Sequence, residues 1–169
     1  VEVLTKVKDA LTAGKSIREY AQDPFVKPMF LLTTKAKFYL LNGKPEDVSQ
    51  ALKDAIKAEG NDFVIADLST GAGVQEVITR AYAILGLISF FTTGEDETRA
   101  WTIVKGDKAP QAAGVIHTDF EKKFIRAEVV SYTDFVANGG WSGAKSKGRL
   151  RIEGKEYVVK DGDVMHFRF

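Results

Sequence analysis

Three sets of residues have types and spacings that could do chemistry. The first is Gly14-Lys15-Ser16. A Walker-type phosphate cradle needs backbone N–H groups from a glycine-rich loop, then a Lys for the β- and γ-phosphates and a hydroxyl for magnesium. No such loop precedes Gly14, and the residues before it follow a helical pattern, so the end of one helix and the cap of the next is the better account. The glycine pairs Gly71/Gly73 and Gly139/Gly140 have no Gly-Lys-Ser/Thr after them. The second set is His117, Asp119 and Glu121. General-base work needs hydrogen-bond reach to a defined substrate proton, and nothing nearby supplies a nucleophile or a metal partner. A cap or turn role for Thr118 to Glu121, with His117 fixing the loop, is expected, and no catalytic residue is assigned. The third set is cationic: Lys105, Lys108, Lys122, Lys123, Arg126, Lys145, Lys147, Arg149, Arg151 and Lys155, with Trp101 and Trp141 nearby in sequence. Cations with aromatic rings can hold phosphates and stack on bases. Acids are interleaved throughout, so a mixed solvated surface fits these residues equally well.

Composition narrows the classes. The 169 residues are 44% hydrophobic and 28% charged, the balance of a folded soluble chain. Lys plus Arg is 24 and Asp plus Glu is 23, so neither a polybasic arm nor an acidic tail dominates. The absence of Cys excludes a disulfide framework, a thiolate metal site and a thiol nucleophile. Two histidines cannot build a His-rich metal centre, and His166 reads as a half-exposed strand residue. No apolar run reaches the roughly 18 residues of a membrane span. The opening VEVLTKVKDAL is charged and amphipathic, unlike a signal peptide, so a cytoplasmic protein is expected.

These residues must be positioned by elements that periodicity indicates. Val1, Leu4, Val7 and Leu11 follow the helical period up to Gly14. Ser16 and Glu19 have capping-box spacing for a short second helix, limited by Pro24 and Pro28. Residues 37–41 read as a strand buried on both faces, ended by Asn42-Gly43. Pro45, Glu46 and Asp47 can open a helix with Val48, Ala51, Leu52, Ala55 and Ile56 on one face, closed by Gly60. Phe63, Val64 and Ile65 form a second strand. Ser69 or Thr70 could then start the helix carrying Val74, Val77, Ile78, Ala81, Ile84 and Leu85. This is a piece of an α/β layer, resembling the edge of a larger sheet. After Gly86, residues 87–93 and 99–104 read as a hairpin, 110–117 as a helix, and 124–132, 149–152, 156–159 and 164–169 as strands. A hairpin, a helix and further strands fit a β-grasp, with an SH3-like or small barrel as the rival.

The residues of the second half carry a resemblance. Phe90-Phe91-Thr92, Arg99-Ala100-Trp101-Thr102-Ile103, the run from Ala109 to Lys122, the block Phe124 to Val129, and Gly154 to Val164 occur in one order over some 80 residues. Together they resemble the C-terminal TGS domain of the YchF / Obg-like ATPase family. Val3 to Lys15 resembles part of the helical insertion in that family's nucleotide domain, and Phe30 to Asn42 the segment returning into it. There the family has Asn-x-x-Glu, a motif associated with preference for ATP. Asn42 matches the Asn, while Pro45 stands where the Glu belongs and Glu46 comes one place late. Ala66-Asp67-Leu68 departs from the family's small base loop, and an acidic helical stretch before Val74 is missing. An excised piece, a chain lacking internal segments and a diverged relative all remain open.

The resemblance implies an α+β chain: a helical segment over 1–29, a partial α/β nucleotide-binding domain over 30–86, and a ubiquitin-like β-grasp (TGS) domain over 87–169. It implies ATP and magnesium as cofactors of the intact family, with none expected in this chain, whose hydrolysing segments are expected upstream of Val1. Asn42 would be the nucleotide contact, its amide donating and accepting along a purine edge; a strand-ending turn with Gly43 is its structural rival. Lys122, Lys123 and Arg126 would face the ribosome or ribosomal RNA. A monomer without a membrane partner is expected. A stand-alone TGS interaction or regulatory module, without nucleotide binding, is the competing function.

Overall fold

The computed structural model describes residues 2–169. The chain divides into two compact units, one ending at Arg80 and one comprising Ala81–Phe169. No helix among the described residues is long and apolar enough to cross a membrane.

The first unit opens with α1 (Glu2–Thr12), which buries Val7 against Ile17 and Val26, with Val3, Ala10, Tyr20 and Leu31 packed around them. The helix is therefore turned one position from the expected stripe. Val3, Val7 and Ala10 face this small core, Leu4 and Leu11 are each 40% exposed, and Val1 lies outside the described residues. Gly14 ends the helix at φ +66, and the Lys15 N–H donates to the Ala10 carbonyl at 2.8 Å. This left-handed closure explains Gly14-Lys15-Ser16 without a ligand. The expected second helix is only a 3-10 turn, Arg18–Tyr20, because Ile17 is drawn fully into the core and Pro24 soon follows.

Two strands, β1 (Phe38–Asn42) and β2 (Asp62–Ala66), pair in parallel from Phe38↔Asp62 to Asn42↔Ala66. Between them runs α2 (Gln50–Ala58). It starts five residues later than the proline suggested. Pro45–Asp47 form a 3-10 turn, Val48 is extended, and Ser49 caps the helix by accepting the Leu52 N–H. Strand β1 is not buried on both faces: Leu40 is 38% exposed, and a two-stranded sheet gives β1 a single neighbour. Helix α3 (Val74–Leu85) starts after a turn rather than at Ser69 or Thr70. Those two residues close the turn on Asp67, whose carboxylate accepts the Ser69 N–H at 2.9 Å and the Ser69 hydroxyl at 2.5 Å.

The second unit is a five-stranded mixed sheet with short helices. Strands β3 (Leu87–Thr93) and β4 (Thr98–Val104) form the expected hairpin, in register from Leu87↔Val104 to Thr93↔Thr98. Helices α4 (Ala109–Ile116) and α5 (Thr118–Lys122) follow, then β5 (Arg126–Ser131), α6 (Tyr132–Ala137), α7 (Trp141–Ser146), β6 (Arg151–Glu153) and β7 (Asp163–Arg168). The sheet order is β4-β3-β7-β5-β6. The last strand lies between β3, to which it is parallel at Phe91↔Val164, and β5, to which it is antiparallel. Its core joins Phe90, Phe124 and Phe167 to Ala109, Ala112 and Ala113 of α4, with Phe120 and Tyr157 partly buried against it. The Phe90 and Phe167 rings meet edge to face at 5.9 Å.

Two expectations fail here. Residues 156–159 are not a strand: the Tyr157 carbonyl accepts the Ala109 N–H, and the Val159 N–H donates to the Asp107 carbonyl, which ties the segment to the entrance of α4. The strand placed at 124–132 is shorter, because Ser131 turns its hydroxyl to the Asp134 N–H and caps α6. Helices α6 and α7 had no counterpart in the periodicity. Gly143, within α7, closely approaches the end of α6, since a Cβ there would meet the Asn138 carbonyl oxygen at 1.7 Å. Gly143→Ala is expected to cost about 2 kcal/mol as the turn shifts to make room, measured by urea unfolding followed through tryptophan fluorescence. Both tryptophans, Trp101 and Trp141, belong to the second unit, so the signal reports on it alone.

Candidate functional site

Asn42 stands at the carboxyl end of β1, beside the carboxyl end of β2. In open α/β sheets this end is where ligands bind. Its side-chain oxygen accepts the Leu68 N–H at 3.1 Å, and the Gly43 N–H donates to the Ala66 carbonyl at 3.1 Å. The amide nitrogen has no partner among the described residues. Asn42 is thus oriented by the loop after β2, with two donor hydrogens left for a ligand edge. Asp47 is already engaged, its carboxylate accepting the Lys44 N–H at 3.2 Å. Hydrogen bonds from Ser69 hold the Asp67 carboxyl below its ordinary range. Gly73, at φ +81, lets this loop return over β2; a Cβ there would lie 2.8 Å from the Ile65 carbonyl oxygen.

The second candidate is a corner of the five-stranded sheet. Lys122 ends α5, Lys123 follows it, and Arg126 opens β5. All three are exposed, and none makes an ion pair among the described residues. Their backbone is held from below. The Phe124 side chain is buried, the Lys123 N–H donates to the Asp119 carbonyl, and the Ile125 N–H donates to the Arg168 carbonyl at 2.9 Å. Arg126 sits directly opposite Arg168 across β5 and β7, so a fourth cation joins the three. Arg168 leans on Glu128, its Nε 3.5 Å from the carboxylate. Sequence spacing alone could not bring Arg168 here; the antiparallel pairing of the last strand does.

His117 is a cap, not a base. Its Nδ1 accepts the Asp119 N–H at 3.1 Å at the start of α5, and the Asp119 carboxylate is 4.0 Å from the same nitrogen. No group of three His, Cys, Asp or Glu side chains suited to a metal ion occurs among the described residues. His166 is half-buried on β7, as expected. Both tryptophans are engaged in the fold. Trp141 packs edge-on against Phe135 and His166 and donates to the Thr93 carbonyl, while Trp101 donates to the Thr92 hydroxyl beneath the Arg99 guanidinium.

One cluster escaped the sequence reading. Asp163 is 2% exposed and accepts the Tyr157 hydroxyl at 2.7 Å and the Lys160 N–H at 2.9 Å. Arg151 donates to the Tyr157 oxygen at 2.9 Å and lies 3.4 Å from the Asp163 carboxylate. Burial, and then the hydrogen bond to Asp163, push the Tyr157 phenol well above its ordinary value of 10.0. The neutral phenol is therefore the form that folding favours. Above about pH 10 the unfolded chain loses this proton while the folded chain keeps it, so stability falls as pH rises. Urea unfolding between pH 8 and about pH 11 should show that fall, and Tyr157→Phe should reduce its slope.

Known proteins resemble this chain along nearly its whole length. The family YchF-GTPase_C, described as a protein of unknown function (DUF933), matches residues 87–169. A "Ribosome-binding ATPase YchF" of Bacillus subtilis is 39% identical over 202 residues, covering 99% of this chain and 55% of the relative. That alignment is longer than the 169-residue chain, so the relative carries residues within it that this chain lacks. The protein of the same name from Haemophilus influenzae is 59% identical over 97 residues, 57% of this chain and 27% of that one. "Obg-like ATPase 1" of Gallus gallus is 48% identical over 114 residues, 68% of this chain and 29% of the relative. The solved Schizosaccharomyces pombe YchF GTPase superposes with a TM-score of 0.80 at 31% identity, covering 99% of this chain and 53% of that structure. This chain thus spans about half the length of the Bacillus relative and of the solved structure. With identity running through both units and the fold shared across nearly every residue, the chain belongs to the YchF / Obg-like ATPase family.

Proposed function

We propose that this chain is the C-terminal part of a cytoplasmic, ribosome-associated Obg-like ATPase, in which the second unit is a TGS β-grasp domain that contacts the ribosome or its RNA. The observation that carries the reading is the cationic end of β5: Arg126 directly opposite Arg168, with exposed Lys122 and Lys123 just before it in the chain, three of the four without an ion pair among the described residues. The order β4-β3-β7-β5-β6, with β3 and β7 parallel and helices between the first hairpin and β5, supports the β-grasp assignment. The relatives from Bacillus and Haemophilus carry ribosome binding in their names. Asn42 is the residue we assign to a purine edge, within a partial nucleotide-binding layer. Hydrolysis is not assigned to this chain by itself, because phosphoryl transfer needs a phosphate cradle, a Lys at the β- and γ-phosphates and a hydroxyl on magnesium. The chain acts as a monomer.

Co-sedimentation of the purified chain with ribosomes across a potassium chloride series tests the reading. Phosphate contacts release counterions, so binding through three cations should weaken with a log–log slope of about −2. Pelleting that ignores salt would favour a protein contact through the sheet. No pelleting at low salt by a folded chain would remove the ribosome from the function of this segment.

A further inference from the structure

The first unit contains a cavity of about 660 Å³ that the proposed function does not use. It lies among the end of α1, the segment before β1 and the segment before β2. Lys15, Arg18, Lys35 and Lys37 line it, against a single carboxylate, Glu59. That carboxylate is tied into the wall, accepting from the Asn61 amide at 3.0 Å and the Tyr39 hydroxyl at 3.3 Å. Asn61 is 9% exposed, and its oxygen accepts from the Arg18 guanidinium at 2.6 Å. Arg18 is therefore aimed by a buried neutral amide, not neutralised by an acid. Lys15 and Lys35 make no ion pair among the described residues, and Lys37 meets only the Tyr39 hydroxyl and ring.

We propose that this cavity binds an oxyanion of the phosphate-ester class. Four cations around one engaged carboxylate repel one another, and a bound dianion would relieve that repulsion. The guanidinium has donors left after its bond to Asn61 and matches a phosphate in a forked geometry. The size falls in the range of small-molecule sites, roughly 300–1,000 Å³, and suits a compact ligand better than a polymer strand. The site is separate from Asn42. Lys37 and Asn61 immediately precede β1 and β2, whereas Asn42 ends β1, so the length of a five-residue strand, roughly 15 Å, lies between them. This inference does not depend on ribosome binding.

The test is an amide-resolved NMR titration of the full chain with inorganic phosphate, pyrophosphate and tripolyphosphate, with sulfate, adenosine and ATP in parallel. Saturable shifts at Gly14, Lys15, Ser16 and Asn61, strengthening from phosphate to pyrophosphate, are expected. Lys15→Glu with Lys35→Glu should weaken pyrophosphate binding roughly tenfold or more, and both side chains are exposed, so folding should survive. The same charge change at Lys145 and Lys147, on and after α7, should leave it unaltered. Equal binding of ATP and tripolyphosphate supports recognition of the oxyanion alone, and tighter binding of ATP supports a nucleotide as its source. Shifts that do not saturate and are the same for sulfate mean an adventitious ion only and overturn the proposal. So do equal affinities of the double variant and the unaltered chain, or equal shifts with adenosine.

Discussion

Asp163→Ala is expected to lower the unfolding free energy of the second unit by about 3 kcal/mol. The carboxylate is 2% exposed and receives the Tyr157 hydroxyl, the Lys160 N–H and one side of Arg151. Its removal leaves buried donors without acceptors, and each such orphan costs on the order of 1–3 kcal/mol. The value sits near the low end of the range for breaking a buried pair because Arg151 is 41% exposed and water can reach it. Tyr157→Phe removes one hydrogen bond and leaves the carboxylate its other partners, so about 1 kcal/mol is expected there. Urea unfolding monitored by tryptophan fluorescence separates the two. A loss below about 1 kcal/mol for Asp163→Ala would mean that the cluster behaves as a solvated surface pair. The network holds β6, the segment carrying Tyr157 and the start of β7 together, where the backbone makes no continuous ladder.

The second large effect concerns the sheet corner. Combining Lys122→Glu, Lys123→Glu and Arg126→Glu is expected to reduce ribosome co-sedimentation at low salt roughly a hundredfold, taking about 1 kcal/mol for each cation–phosphate contact at 4 Å in water. The salt slope should fall by about 2. Folding should be unaffected, since all three side chains are exposed and the positions are held by Phe124 and by backbone bonds. An unchanged thermal midpoint with lost pelleting would place the effect at the surface. Pelleting equal to that of the unaltered chain would show that this corner is not the contact, whatever else on the unit is.

Much of this architecture could be read along the chain. The hairpin of β3 and β4 was legible because runs of aromatic and β-branched residues flank the turn Gly94-Glu95-Asp96-Glu97, and both signals are local. The same holds for α4, opened by Pro110, and for the glycine stops at Gly14, Gly60 and Gly86, each at positive φ. The family blocks from Phe90 to Val164 mark the lineage of the second unit in the sequence itself. Helices α6 and α7 were not legible, because six residues are under two turns and show no period. The one local sign was Ser131 three residues before Asp134, a cap that reads as a strand end when seen from β5.

What tertiary structure decided is where separated charges meet. Arg168 joins Lys122, Lys123 and Arg126 only because the last strand inserts beside β5. Arg151, Tyr157 and Asp163 have no common period, yet share one buried cluster. Lys15, Arg18, Lys35, Lys37 and Asn61 come from separate segments to line one cavity. Periodicity reports which side of an element is buried, since burial repeats with the backbone geometry. It carries no information on which distant element lies opposite, and polar clusters depend on that alone.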